Sequence, residues 1–233
     1  MNKIFKKFGQ YGLQSHNPNN GIGLWPEEQE LLLTLTQNCK NYLEIGSHNL
    51  GSALLVETQA RVDKIDRNIV AVDLQFSPWA AINHKRAGSN VKMWECNSSS
   101  LKELHGPKMK DLDFVFIDGY HSFKQVVIDF NQVEEYLAND AIVAFHDTSP
   151  KLNNPDWITE RTKVMQDNLV DLMNDDDENF YIDEAILHIL ERGYELIDCG
   201  ISCYHPQETG LTGWIRGTTS PSSAIWAIKT CTK

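Results

Sequence analysis

The run Asn41-Tyr-Leu-Glu-Ile45, continuing as Gly46-Ser-His-Asn-Leu-Gly51-Ser52 into an apolar helical stretch, decides the fold of this 233-residue chain. A short apolar run with few charges reads as a buried strand, and the glycines beyond it stand where a strand must turn tightly into a helix. Gly46 is expected to let the backbone approach a ligand without a Cβ clash. Amide groups near Gly51 and Ser52, at the helix amino terminus, offer donors to a carboxylate or phosphate. The spacing is not the G-x-G-x-x-G of a dinucleotide fold, which argues against a nicotinamide-dependent dehydrogenase. An ordinary glycine turn would carry the same letters, so the flanking segments have to be read with it.

Downstream, four more β-rich runs follow at helix-length intervals: Ile69 to Asp73, Val91 to Cys96, Leu112 to Ile117 and Ala141 to Phe145. An amphipathic helix is expected from about Phe123 to Leu137, and another from Asp183 to Arg192, stopped by Gly193. Tyr194 to Asp198 then reads as a sixth strand, parallel to the others, and Ala224 to Lys229 as a seventh. Upstream, Pro26, Glu27 and Glu28 mark the start of a helix running to about Gln37. Strands alternating with helices define the class: α/β, Rossmann-like, a doubly wound, mostly parallel seven-stranded sheet with helices on both faces. The segments Thr148 to Asn179 and Ser202 to Ser223 read as irregular, and long loops in compact domains are usually functional or disordered.

With 41% hydrophobic and 23% charged residues, the chain suits one core of ordinary size. No apolar run approaches the roughly 20 residues of a membrane span, and the amino terminus lacks the apolar stretch of a secretory signal. A cytoplasmic location without membrane partners is the expectation. Cys39, Cys96, Cys199, Cys203 and Cys231 are scattered and odd in number, and read as reduced structural thiols. The net charge of -11 opposes a nucleic-acid partner, because that binding is driven by Lys and Arg displacing counterions. Lys3, Lys6 and Lys7 read as a solvated tail.

Ionisable groups gather at the ends of the predicted strands. Asp73 ends the second strand one βαβ unit after the glycine turn, where an acid can accept from both hydroxyls of a ribose. Asn97-Ser98, after the third, is polar enough for an adenine edge, and a plain Asn-Ser turn explains it equally well. Asp118 and His121 lie just beyond the fourth strand, and His146 and Asp147 just beyond the fifth. Neighbouring parallel strands thus deliver four ionisable groups to the carboxyl edge, where open α/β sheets bind ligands. Ser122 with Gln125 looks like a capping box that starts the next helix and holds His121 on the turn above the strand. The alternatives are a structural turn at Asp118 and a satisfied polar strand end at His146-Asp147.

Leu43-Glu-Ile-Gly-Ser47, Phe116-Ile-Asp-Gly-Tyr-His121 and Phe145-His-Asp-Thr148 resemble the class I methyltransferases. The likeness, over roughly Tyr42 to Thr148, is to the branch containing macrocin-type sugar O-methyltransferases and cephalosporin hydroxylase-like proteins. The resemblance implies S-adenosylmethionine as cofactor, contacted by Glu44, Gly46, Asp73 and Asn97, with Ser47, Gly51, Ser52, Ser98 and Asp118 at the same edge. It implies a divalent metal, Mg²⁺ or Mn²⁺, on Asp118, His146 and Asp147, and His121 with Asp118 as the catalytic pair, His121 being the general base. The sequence departs from the family at His146. An all-oxygen set suits Mg²⁺, whereas an imidazole either shifts preference toward Mn²⁺, Fe²⁺ or Zn²⁺ or means that the metal is weak or absent.

The chain is then expected to be a single methyltransferase domain over 1–233: an extension and helix at 1–38, a cofactor-binding core at 39–148, and substrate-side loops and final strands at 149–233. Trp214 and Arg216 between glycines, and Trp157 and Arg161 after the fifth strand, are candidate walls of an acceptor pocket. The expected partner is a small hydroxylated acceptor such as a sugar or glycosylated metabolite, with a homo-oligomer left open. The competing readings are a metal-free N- or O-methyltransferase and a non-catalytic binding subunit with the same fold.

Overall fold

The computed structural model describes residues 2–11, 14–15, 21–24, 26–149, 154–175, 181–197 and 225–230. Seven strands form one sheet: β1 Asn41–Ile45, β2 Asn68–Asp73, β3 Lys92–Glu95, β4 Leu112–Ile117, β5 Leu137–Phe145, β6 Glu195–Ile197 and β7 Trp226–Lys229. Their order across the sheet is β3-β2-β1-β4-β5-β7-β6. The first five pair in parallel, and β7 lies antiparallel to both β5 and β6, so β6 runs with the majority, as expected. The chain reverses its direction of winding between β1 and β4, which opens a crevice above their carboxyl ends.

The period of two along a strand divides the interior into two cores. Leu43, Ile45, Val70, Val72, Val115 and Ile117 face one side. Tyr42, Ile69, Ala71, Phe114 and Phe116 face the other. On the first side pack the helices α5 Leu101–His105, α6 Phe123–Val133, α7 Pro155–Asn174 and α8 Ile182–Leu190. On the second lie α1 Asn2–Gln10, α2 Pro26–Leu35, α3 Gly51–Asp63 and α4 Pro78–Ala87. Ten consecutive residues of α3, Gly51 to Ala60, are buried, which explains the apolar run after the glycine turn.

Several expectations change. The amino-terminal lysines ride on a helix rather than a tail: Ile4 and Phe8 of α1 are buried, while Lys3, Lys6 and Lys7 stay exposed. The segment after β5 is not irregular but holds the 20-residue α7. Asn154 caps it by accepting from the Asp156 amide, and Pro155 takes the first helical position, where no amide partner is lost. Among its residues only Met165 and Leu172 are buried, so its apolar stripe was too thin to read as a period. The α6 helix ends at Val133 and a 3₁₀ turn at Glu134–Tyr136 leads into β5, which begins four residues before the expected Ala141. Residues 202–223, with Trp214 and Arg216, lie outside the described residues, as do Cys199, Cys203 and Cys231.

Candidate active site

The first strand and its turn are locked together by a buried carboxylate. Glu44 accepts from the Tyr42 hydroxyl at 2.5 Å and from the Ser52 hydroxyl at 2.6 Å, tying the start of α3 back to β1. Burial pushes its carboxyl up to about 7, against the pull of those two hydrogen bonds. Gly46 has φ +89°, and a Cβ there would stand 2.0 Å from the Asp118 carbonyl oxygen. The crowding neighbour of that glycine within the protein is the end of β4. His48 and Leu50 also take positive φ, so the turn is backbone under constraint.

Other groups of this turn are spoken for. The Gly51 amide donates to Asn49 Oδ1 at 2.9 Å, so it is not the open anion donor that its position promised. Asp73 accepts from the amides of His48 at 2.7 Å and Gln75 at 3.0 Å, one on each oxygen, leaving each a lone pair for a diol. Asn97 caps the following 3₁₀ turn through the Ser99 amide. Ser98 accepts from Gln125 Nε2 at 3.0 Å, so the Gln125 side chain does not complete the capping box. The other half of that box is present, with the Gln125 amide donating to the Ser122 hydroxyl at 3.1 Å.

Beyond β4 and β5 the four ionisable groups meet. His121 Nε2 lies 3.3 Å from Asp147 Oδ2 and 3.7 Å from Asp118 Oδ1. One ligand atom from each of Asp118, His121 and Asp147 falls within 4.8 Å of the others. His146 has a different place from the one expected. Its Nδ1 faces Asp118 Oδ1 at 2.8 Å and its Nε2 faces Glu28 Oε2 at 3.3 Å, so His121 takes the place in the ligand cluster that His146 was expected to fill. Burial works against charge on Asp118, but His146 and His121 beside it prevail and hold its carboxyl down at about 2. Burial likewise opposes a charged His146, and Asp118 and Asp147 overcome it, holding that imidazole well above its ordinary range. His121 is raised too, its bond to Asp118 and the Asp147 charge outweighing desolvation.

Glu28, fully buried on α2, was not foreseen as part of this site. Its only sequence signal was its place in a helix's first turn. Trp157 and Arg161 do not reach the cluster with their polar ends. The Trp157 indole donates to Asp183 at 3.1 Å, and Arg161 stacks on Trp157 and pairs with Glu184 at 3.0 Å, fastening α7 to α8.

Residues 43–148 match the family model described as a methyltransferase domain. No curated protein matches the chain. The fold is similar to that of an O-methyltransferase from Bacillus cereus solved with S-adenosylhomocysteine, at 14% identity and TM-score 0.56, over 98% of this chain and 90% of that one. It is similar to TomG, an O-methyltransferase of tomaymycin synthesis from Streptomyces achromogenes solved with S-adenosylmethionine, at 15% identity and TM-score 0.56, over 99% and 89%. The SAH-bound methyltransferase PaMTH1 from Podospora anserina aligns at 14% identity and TM-score 0.53, over 100% and 89%. The stretch that matches the methyltransferase-domain model carries the strands and turns that build the site, and the fold of the chain is that of these methyltransferases.

Proposed function

We propose that the protein transfers the S-adenosylmethionine methyl group to a hydroxyl of a small acceptor, a sugar or glycosylated metabolite. The observation that carries this reading is the convergence of Asp118, His121 and Asp147 at the crevice beside the Gly46 turn. Methyl transfer from a sulfonium needs in-line alignment and a deprotonated nucleophile, so a well-placed base and an acceptor pocket supply much of the rate. His121 takes the hydroxyl proton, and the carboxylates of Asp118 and Asp147, which face its Nε2, stabilise the imidazolium that forms. Asp73 and the Gly46–Ser52 turn bind the cofactor, with Glu44 acting from behind through Ser52. Asn97 and Ser98 stand at the adenine side.

The same three atoms fit a divalent cation. Asp118, His121 and Asp147 would hold it with one nitrogen and two oxygens, a donor set that favours Mn²⁺ over Mg²⁺. When bound, the ion would lower the pKa of the acceptor hydroxyl. A ligated His121 Nε2 has no lone pair left for a proton, so the metal-assisted and metal-free forms assign His121 different work. The His146 ring against Asp118 favours the metal-free form, because it already sets a positive group beside that carboxylate.

The test is calorimetric titration with S-adenosylhomocysteine, with and without Mg²⁺ or Mn²⁺, followed by an acceptor screen on mono- and disaccharides and glycosides with and without chelator. Saturable binding and chelator-resistant turnover are expected. Turnover abolished by chelator would transfer the reading to the metal-assisted form, and no binding under any condition would leave a non-catalytic subunit.

A further inference from the structure

An acid in the first turn of a helix ordinarily faces water, where it complements the helix dipole. Glu28 instead is fully buried, with Oε2 3.3 Å from His146 Nε2. The other nitrogen of that ring lies 2.8 Å from Asp118 Oδ1, so one imidazole joins α2 to the end of β4. A planar ring engaged at opposite ends cannot turn about χ2 without giving up a contact. Burying a carboxylate is costly unless it is paired, so Glu28 is poorly explained as packing alone. Leu or Met would fill the same space at lower cost. An acid at position 146 would face two carboxylates at this range, whereas an imidazole donates to them.

We propose that Glu28 is a positioning residue of the methyl-transfer site, locking the His146 ring so that Nδ1 grips Asp118 Oδ1 and sets the direction in which Asp118 faces His121. Glu28 touches no reacting atom and acts through His146, in the way that partners behind a ligand orient it. The role rests on the reading of Asp118 and His121 given above, and it holds whether or not an ion joins them.

The experiment uses the full chain with nitrogen-15-labelled histidine, observing ring N–H protons by NMR. A slowly exchanging His146 Nε2 proton is expected in the wild type, retained in Glu28→Gln, whose amide oxygen still accepts, and lost in Glu28→Ala. Where the wild type binds Mn²⁺ by electron paramagnetic resonance, that affinity should fall about 10- to 100-fold in Glu28→Ala, and in either case S-adenosylhomocysteine affinity by calorimetry should stay within about twofold. If Glu28→Ala does not fold, Glu28→Met, of similar volume, takes its place. A His146 ring whose signals are the same in wild type and Glu28→Ala overturns the proposal, as does an unprotected Nε2 in the wild type. Loss of S-adenosylhomocysteine binding in both variants would make Glu28 a residue of the fold. A wild type that binds no Mn²⁺ removes the cation from the proposed function, and the ring proton then decides the role of Glu28. A wild type that ignores S-adenosylhomocysteine refutes the methyltransferase site itself.

Discussion

The turn at Gly46 and the edge at His146 stand at the ends of β1 and β5, with β4 between them, yet they are held by different forces. The turn is steric. It depends on a missing Cβ against Asp118 and on left-handed backbone at His48 and Leu50, and its polar groups bond to neighbours within the protein. The edge is electrostatic: three carboxylates, Glu28, Asp118 and Asp147, surround two imidazoles, and at Asp118, His121 and His146 the neighbouring charges outweigh burial. A region built by shape tolerates a change of charge better than a change of bulk, and one built by charge the reverse.

The largest expected effect tests the electrostatic region. His121→Ala should lower turnover about 100- to 10,000-fold, as loss of a general base does, while leaving S-adenosylhomocysteine affinity nearly intact. Steady-state kinetics beside calorimetry checks it, and loss of cofactor binding would erase the distinction between the regions. Gly46→Ala should do the opposite, costing about 3 kcal/mol or more in urea unfolding, because a Cβ must displace backbone and adopt φ +89°.

Glu44 sharpens the comparison through pH. Its folded value of about 7 exceeds the ordinary 4.5, so the folded state binds its proton more tightly than the unfolded chain. That contribution is complete below pH 4.5 and is lost as pH rises to 7. Relative to Glu44→Gln, the wild type should lose up to about 3 kcal/mol across that window. Urea curves at pH 4.5 and 8 measure it, and a constant difference would show Glu44 to be no buried acid. His146, raised from 6.5, contributes stability below 6.5 that is lost only as pH passes its higher folded value, so losses at the edge begin where those at the turn are ending. The smallest effect is that of Ser122→Ala, which removes the cap of α6 just after His121. It should cost about 1 kcal/mol in unfolding experiments, with cofactor affinity unchanged.

Much of the core was legible. The bounds of β1 and β4 agree with their largely apolar runs, because a strand buried on both faces is mostly apolar and so writes itself as a block, with Glu44 and Asp113 among its polar exceptions. Asp118, His121, His146 and Asp147 were placed at one edge because parallel strands carry their loops to the same side. The polar helix α7 was missed, since Pro155 and Asn154 announce a start but too few apolar residues continue it. Glu28 was missed for a simpler reason: its partner lies 118 residues away.

By itself the sequence determined which elements form, in what order, and which chemical groups arrive at the carboxyl edge, because period, caps and turns act over a few neighbouring residues. Only the tertiary structure decided which of those groups face one another. That His146 faces both Glu28 and Asp118, and that Gly46 leaves clearance for the end of β4, follow from contacts between distant segments, which depend on a fit of side chains within about an ångström that no local pattern encodes.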